Sequence, residues 1–176
     1  MRQPKGTLVA DGELATLTFR RTYRHRIEHV WEAISTPEGL RGWLMATTAT
    51  LEPRMGGRIE MVSGPAQFHS AGTILTWDPP RVLEYEWNVE PVPVMPEGEH
   101  AIFRWDLTAD GEVTHVIVTY RRLTLQTSRG FLPGAHVLLD RFEAQLDGAA
   151  LPAFQPRFEE LRAEYPEWSH APAAGE

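Results

Sequence analysis

The side chains able to move protons, hold a metal or attack a carbonyl are few and scattered. Seven histidines stand at positions 25, 29, 69, 100, 115, 136 and 170, and there is no cysteine. His25 and His29 have the spacing of a zinc-binding pair, but they straddle a strand-to-helix boundary, so no helix presents two imidazoles on one face. Nucleophilic catalysis lacks both a thiol and a G-x-S-x-G elbow. His136, at the head of the predicted terminal helix, and His69, on a central strand, are the general-base candidates, because a histidine in a semi-apolar cavity titrates near neutral pH. Glu84 and Glu86 share one strand face opposite Tyr85; carboxylate-pair chemistry would require that face to be concave, and the pattern reads as solvated. No glycine-rich loop opens a helix after a strand, so no nucleotide, metal or other cofactor is expected.

The aromatic residues carry more pattern. Strand parity puts Leu83, Tyr85 and Trp87 on one face of one strand, and Phe103, Trp105 and Leu107 on one face of the next. Six tryptophans, seven phenylalanines and four tyrosines in 176 residues either fill a core or line a pocket. Filling is the simpler reading, since interiors are close packed and each ring buries on the order of 150 to 250 Å². A pocket would use the polar ends of tyrosine and tryptophan, which need partners once buried.

The elements that must position these rings follow from periodicity. Ala15, Leu17, Phe19 and Tyr23 alternate with Thr16, Thr18, Arg20 and Thr22, which reads as a half-buried strand. Ile27, Val30, Trp31 and Ile34 then fall at helical spacing. Thr36 can cap, and Pro37 open, a second short helix that ends near Trp43. Strands follow at 48–52, 58–63, 68–77, 82–89, 100–108 and 113–124, separated by Gly56-Gly57, Gly64-Pro65, Asp78-Pro79-Pro80 and Asp110-Gly111. Prolines at 91, 93 and 96 make residues 90–99 a long loop. Ala135, Leu138, Leu139, Phe142 and Leu146 recur on a helix over 132–147, with Gly148 as its cap. The fold class is therefore α+β, with residues 1–12 a flexible leader, 13–150 one domain, and 151–176 an extension holding a short helix over 156–165 and a tail disordered from Ser169.

The formal charge of −7, from 24 acidic and 17 basic residues, repels phosphate backbones. The run Arg20, Arg21, Arg24 and Arg26 is scattered over both faces by alternation, so no nucleic-acid surface is expected. No apolar stretch is long enough for a membrane span or signal peptide, and absent cysteine suits a reducing compartment; cytoplasmic residence is the expectation.

Four stretches carry a resemblance. Residues Val30 to Leu44, VWEAISTPEGLRGWL, resemble the opening helix pair of the START-like, helix-grip superfamily, in particular the bacterial relatives of the activator of Hsp90 ATPase. Gly56-Gly57-Arg58-Ile59 resembles their turn into the third strand. Gly72 to Leu83 resembles their central strand, Pro-Pro turn and next strand. Gly134-Ala135-His136, with Leu139, Leu146 and Asp147-Gly148, resembles the two ends of their terminal helix. Residues 14–148 are covered. Two positions depart: Ala135 stands where a tryptophan usually follows the glycine, and Tyr120 where the penultimate strand often carries histidine.

The resemblance implies a curved antiparallel sheet of six to seven strands around a long C-terminal helix, with two short helices after the first strand. It further implies a cavity for an apolar or aromatic small molecule. The expected lining is Trp43, Tyr85, Trp87, Phe103, Trp105, Tyr120 and His136, and Trp105→Ala is expected to disturb binding more than folding. A cyclase- or hydrolase-like enzyme using a cavity histidine or carboxylate, and a protein-binding module like the Hsp90 activator, are the alternatives. A homodimer through the sheet edge or the last helix is an assembly the sequence allows.

Overall fold

The structure, a computed structural model, describes residues 2–166. The tail from Ser169 and His170 lie outside the described residues. One antiparallel sheet contains β1 (Thr7–Asp11), β2 (Leu14–Tyr23), β3 (Thr48–Leu51), β4 (Arg58–Ser63), β5 (Phe68–Asp78), β6 (Val82–Val89), β7 (Glu99–Asp110) and β8 (Val113–Thr124). Their order is β1-β2-β8-β7-β6-β5-β4-β3. Helices α1 (Ile27–Ser35) and α2 (Pro37–Trp43) lie between β2 and β3, α3 (Leu125–Leu146) follows β8, and α4 (Phe154–Arg162) follows α3. Because α1 and α2 carry the chain away from β2, that strand pairs with β8 rather than with β3. Register shifts at Ala15/Leu17 and Ile74/Thr76 mark bulges, which bend strands and help a sheet wrap a helix.

The strand count is eight, not six to seven, because part of the leader is structured. Asp11 pairs with Leu14 across a two-residue turn in which Gly12 has φ +61°, a conformation that costs glycine little. The resulting β1 is mostly exposed, so it lacks the buried alternation by which a strand is recognised. Gln3 adds a tether: its Nε2 donates to the Thr22 carbonyl at 2.8 Å and its Oε1 accepts from Thr22 N at 3.2 Å.

Helix α3 starts at Leu125 rather than 132, with Gly130, Pro133 and Gly134 in its first three turns. The sequence reads as a break because proline deletes an intrahelical donor. Capping and burial override it. Thr124 Oγ1 accepts from Thr127 N at 3.3 Å. The buried Glu99 carboxylate accepts from Thr124 N at 2.7 Å, Thr124 Oγ1 at 3.1 Å and Thr127 Oγ1 at 2.7 Å. A carboxylate there also faces the positive end of the helix dipole.

At its other end α3 holds α2. Arg141 Nη2 donates to the Gly42 carbonyl at 3.0 Å, and Gln145 Oε1 accepts from Trp43 N at 2.7 Å. Thr36 caps α2 as its spacing predicts, accepting from Gly39 N at 3.0 Å. Helix α4 begins at Phe154 instead of 156 and buries Leu161 against the rest of the chain. Among the described residues no helix is long and apolar enough to cross a membrane.

Candidate functional site

Between the sheet and α3 the structure brings together Trp43, Tyr85, Trp87, Phe103, Trp105 and Tyr120 around one small cavity. Leu44, Met61, Ser63, Phe131 and Leu138 complete its wall. The free volume is about 30 Å³. That holds one or two waters, whereas ligand pockets usually span about 300 to 1,000 Å³. The rings therefore nearly fill the space they line.

Their arrangement is specific. Tyr85 pairs in register with Phe103, and Phe103 with Tyr120, so the three form one row across β6, β7 and β8. Phe103 and Tyr120 meet edge-on with centroids 4.6 Å apart, and Trp87 stacks on Phe103 at 4.9 Å and 16°. Phe131 of α3 reaches down onto this row, with its centroid 5.2 Å from Tyr120, 5.8 Å from Phe103 and 6.0 Å from Trp87. Trp43, Trp105 and Phe142 form a second cluster with centroids 5.0 to 5.6 Å apart.

The polar ends divide sharply. Trp43 Nε1 donates to the Ala33 carbonyl at 3.0 Å, so its indole has no donor left for a ligand. The Tyr85 and Tyr120 rings line the cavity, and neither hydroxyl is among the described buried side-chain atoms left without a partner. Burial pushes both phenols up from their ordinary range, so both remain protonated donors at physiological pH. In the Tyr120 case Arg21 pulls the other way and Tyr85 and Tyr23 add to the rise.

His136 lies outside the cavity lining. Phe131 and Leu138 are seven residues apart on one face of α3, whereas His136, five residues after Phe131, stands about 140° round the axis. Its Nδ1 is 2.5 Å from the Tyr165 hydroxyl and its Nε2 is 3.5 Å from Asp140 Oδ1. Burial, and then the charge of Arg21, hold it down at about 4. A neutral imidazole held this way does not reach the cavity as a base. His69 is likewise elsewhere: it is exposed on the outer surface, with Nε2 2.6 Å from Glu60 Oε1. It borders a wider open groove of about 500 Å³ between the β4–β5 turn and the loop at 89–94.

Glu84 is not solvated. It is buried on the outer sheet face under Arg121 Nη2 at 3.0 Å and Arg104 Nη1 at 3.4 Å, and accepts from Thr76 Oγ1 at 3.2 Å. Glu86 instead accepts from Thr73 N at 3.1 Å, so the two carboxylates do not act as a pair. Among the described residues no three His, Cys, Asp or Glu side chains gather closely enough to hold a metal ion.

Sequence reasoning missed Phe131, Leu138 and the inward-facing Arg21. The first two were detectable as an i, i+7 pair once the helix is carried back to Leu125. Arg21 was detectable as the break in an otherwise apolar strand face.

The family model described as "Activator of Hsp90 ATPase homolog 1-like protein" matches residues 24–147. The chain belongs to this family. Solved structures agree on a START-like helix-grip fold. CalU16 from Micromonospora echinospora is 20% identical with a TM-score of 0.69, covering 95% of this chain and 96% of that one. Protein MLL2253 from Mesorhizobium loti is 22% identical with a TM-score of 0.66, covering 77% and 99%. A conserved protein of unknown function, EF2215 from Enterococcus faecalis, is 14% identical with a TM-score of 0.70, covering 93% and 89%. No curated protein matches the chain.

Proposed function

We propose that this family member binds a small, mainly aromatic molecule between the Tyr85–Phe103–Tyr120 row and α3. The observation that carries this reading is an aromatic cavity one of whose walls, Phe131, is only partly buried, whereas the Trp43–Trp105–Phe142 cluster is fully in the core. Phe131 is only half buried, and it precedes Pro133, which deletes a helical hydrogen bond and lowers the cost of shifting this part of α3. Swinging that ring out would free the space above Phe103. Burial of apolar ligand surface at about 25 cal/mol per Å² then drives binding, less the cost of ordering.

A proton-transferring enzyme has less support, because the lining contains neither a histidine nor a carboxylate. A protein-binding role, by analogy with the family's name, would use a surface such as the open groove beside Phe68, His69 and Val94 rather than this cavity. Native mass spectrometry of freshly purified protein, set against a denatured sample, tests the proposal. A retained species of defined mass released on denaturation is the expected result. A bare chain, together with no binding of aromatic probes to the Phe131→Ala variant, would overturn it.

A further inference from the structure

We infer that Arg21 and Tyr23 hold one buried water molecule between β2 and the C-terminal half of α3. The aromatic cavity plays no part in this, and failure of the inference leaves the ligand reading untouched.

Both residues belong to the inward face of β2, two positions apart, so their backbones are separated by roughly 7 Å. The Arg21 side chain is fully buried and crosses Phe19, with its guanidinium carbon 5.7 Å from the ring centre. Nη1 donates to Asp140 Oδ1 at 3.2 Å. The opposite edge of the guanidinium carries Nε–H and one Nη2–H side by side, the fork with which arginine grips an acceptor. Neither Nε nor Nη2 has a partner, and neither does the Tyr23 hydroxyl. Three such atoms from one strand face carry a cost that protein interiors rarely leave standing. The Tyr23 ring packs on Phe142 with centroids 5.3 Å apart. Burial pushes its phenol up, and among the charges acting on it Arg21 leads, ahead of Glu143 and Asp140, as a neighbouring guanidinium would.

Room and charge select water. Opposite Arg21 and Tyr23 on β8 stand Val116 and Thr114, short side chains beside two long ones. Thr114 Oγ1 donates to the His25 carbonyl at 2.7 Å, so its hydrogen is committed elsewhere. The cations here are already matched: Arg21 and Arg157 both meet Asp140, and Arg157 also meets Glu160. An anion on the fork would add a buried charge with no cation of its own. Water adds no charge. It accepts from Nε and Nη2 and donates to the Tyr23 oxygen, and these three bonds are the usual complement of an internal water.

High-resolution crystals of the full chain, one set grown in sodium chloride and one in sodium bromide, test this. The expected result is a density peak within about 3.2 Å of Arg21 Nε, Arg21 Nη2 and the Tyr23 hydroxyl, refining as oxygen and giving no bromide anomalous signal. Tyr23→Phe, followed by urea unfolding, supplies a second readout. Losing one buried hydrogen bond to the water should lower the folded-to-unfolded ratio about fivefold, whereas removing a hydroxyl that bonds nothing would leave that ratio unchanged or raise it. An anomalous peak on the fork, a fork without density, or a Tyr23→Phe variant at least as stable as the parent overturns the inference.

Discussion

The two sides of α3 bury polar groups in opposite ways. Facing the cavity, Phe131 and Leu138 meet aromatic rings and two phenols, with no charged side chain in the wall. About 140° round the same helix, His136 and Asp140 sit in a connected network. Asp140 Oδ1 is 3.2 Å from Arg21 Nη1, and Asp140 Oδ2 accepts from Arg157 Nε at 2.8 Å. Tyr165, beyond α4, reaches His136 and also accepts from Gly6 N at 2.9 Å, so the extension and the leader close over this side. Even here Arg21 Nε, Arg21 Nη2 and the Tyr23 hydroxyl lack partners. The comparison teaches that the closed side is held by charge and tolerates little change. The cavity side is held by ring packing around a void and can be remodelled.

The largest effect expected from breaking this contrast is at Asp140. Asp140→Asn leaves Arg21 buried without its counter-charge, and removing one partner of a buried pair costs on the order of 3 to 5 kcal/mol. Urea unfolding of the variant against the parent measures it. A loss under about 1 kcal/mol would mean that Arg21 is not held by this pair.

Next in size is the pH response of the same network. His136 has its folded-state value lowered to about 4, while in the unfolded chain it titrates near 6.5. Between those values the unfolded state binds a proton that the folded state refuses, so stability is complete above about pH 6.5 and declines as pH falls toward 4. The full shift corresponds to about 3 kcal/mol. His136→Gln removes this titration, so its stability should fall less steeply over that window than the parent's. Parallel curves would show that His136 is not held neutral.

Most of the fold was legible because it rests on local signals. The Thr36-Pro37 cap, the helical spacing of Val30 and Ile34, and the strand parities of 82–89 and 100–108 each declare themselves over a few residues. The start of α3 was not legible: its glycines and Pro133 argue for a loop, and the stabilising Glu99 lies 25 residues before Thr124. Parity was also enough to gather Tyr85, Trp87, Phe103 and Trp105, since it states which face each ring occupies, while Trp43 and Tyr120 joined them through the family resemblance. It could not say how much space remains between opposing faces, which depends on the ring of Phe131 arriving from another element. Nor could it separate Trp105, packed against Trp43 and Phe142, from residues at the cavity's opening. Trp105→Ala is therefore a core deletion, costing about 3 to 5 kcal/mol, and a poor probe of binding.

Phe131→Ala is the substitution that sharpens the comparison, and its cost should be the smallest. A fully buried phenylalanine lost to alanine usually costs about 3 to 5 kcal/mol, but Phe131 is only partly buried and already borders a void of about 30 Å³. The expected destabilisation is about 1 to 2 kcal/mol, measurable by urea unfolding with an unchanged m-value. The deletion also joins the vacated ring volume to the existing void above Phe103. The enlarged, mainly aromatic space should admit a benzene-sized guest, as engineered cavities of about 150 Å³ do. Stability of the variant should then rise with benzene concentration as RT ln(1 + [benzene]/Kd), while the parent shows little response. Equal responses in variant and parent would place the guest elsewhere and remove Phe131 from its role as the movable wall.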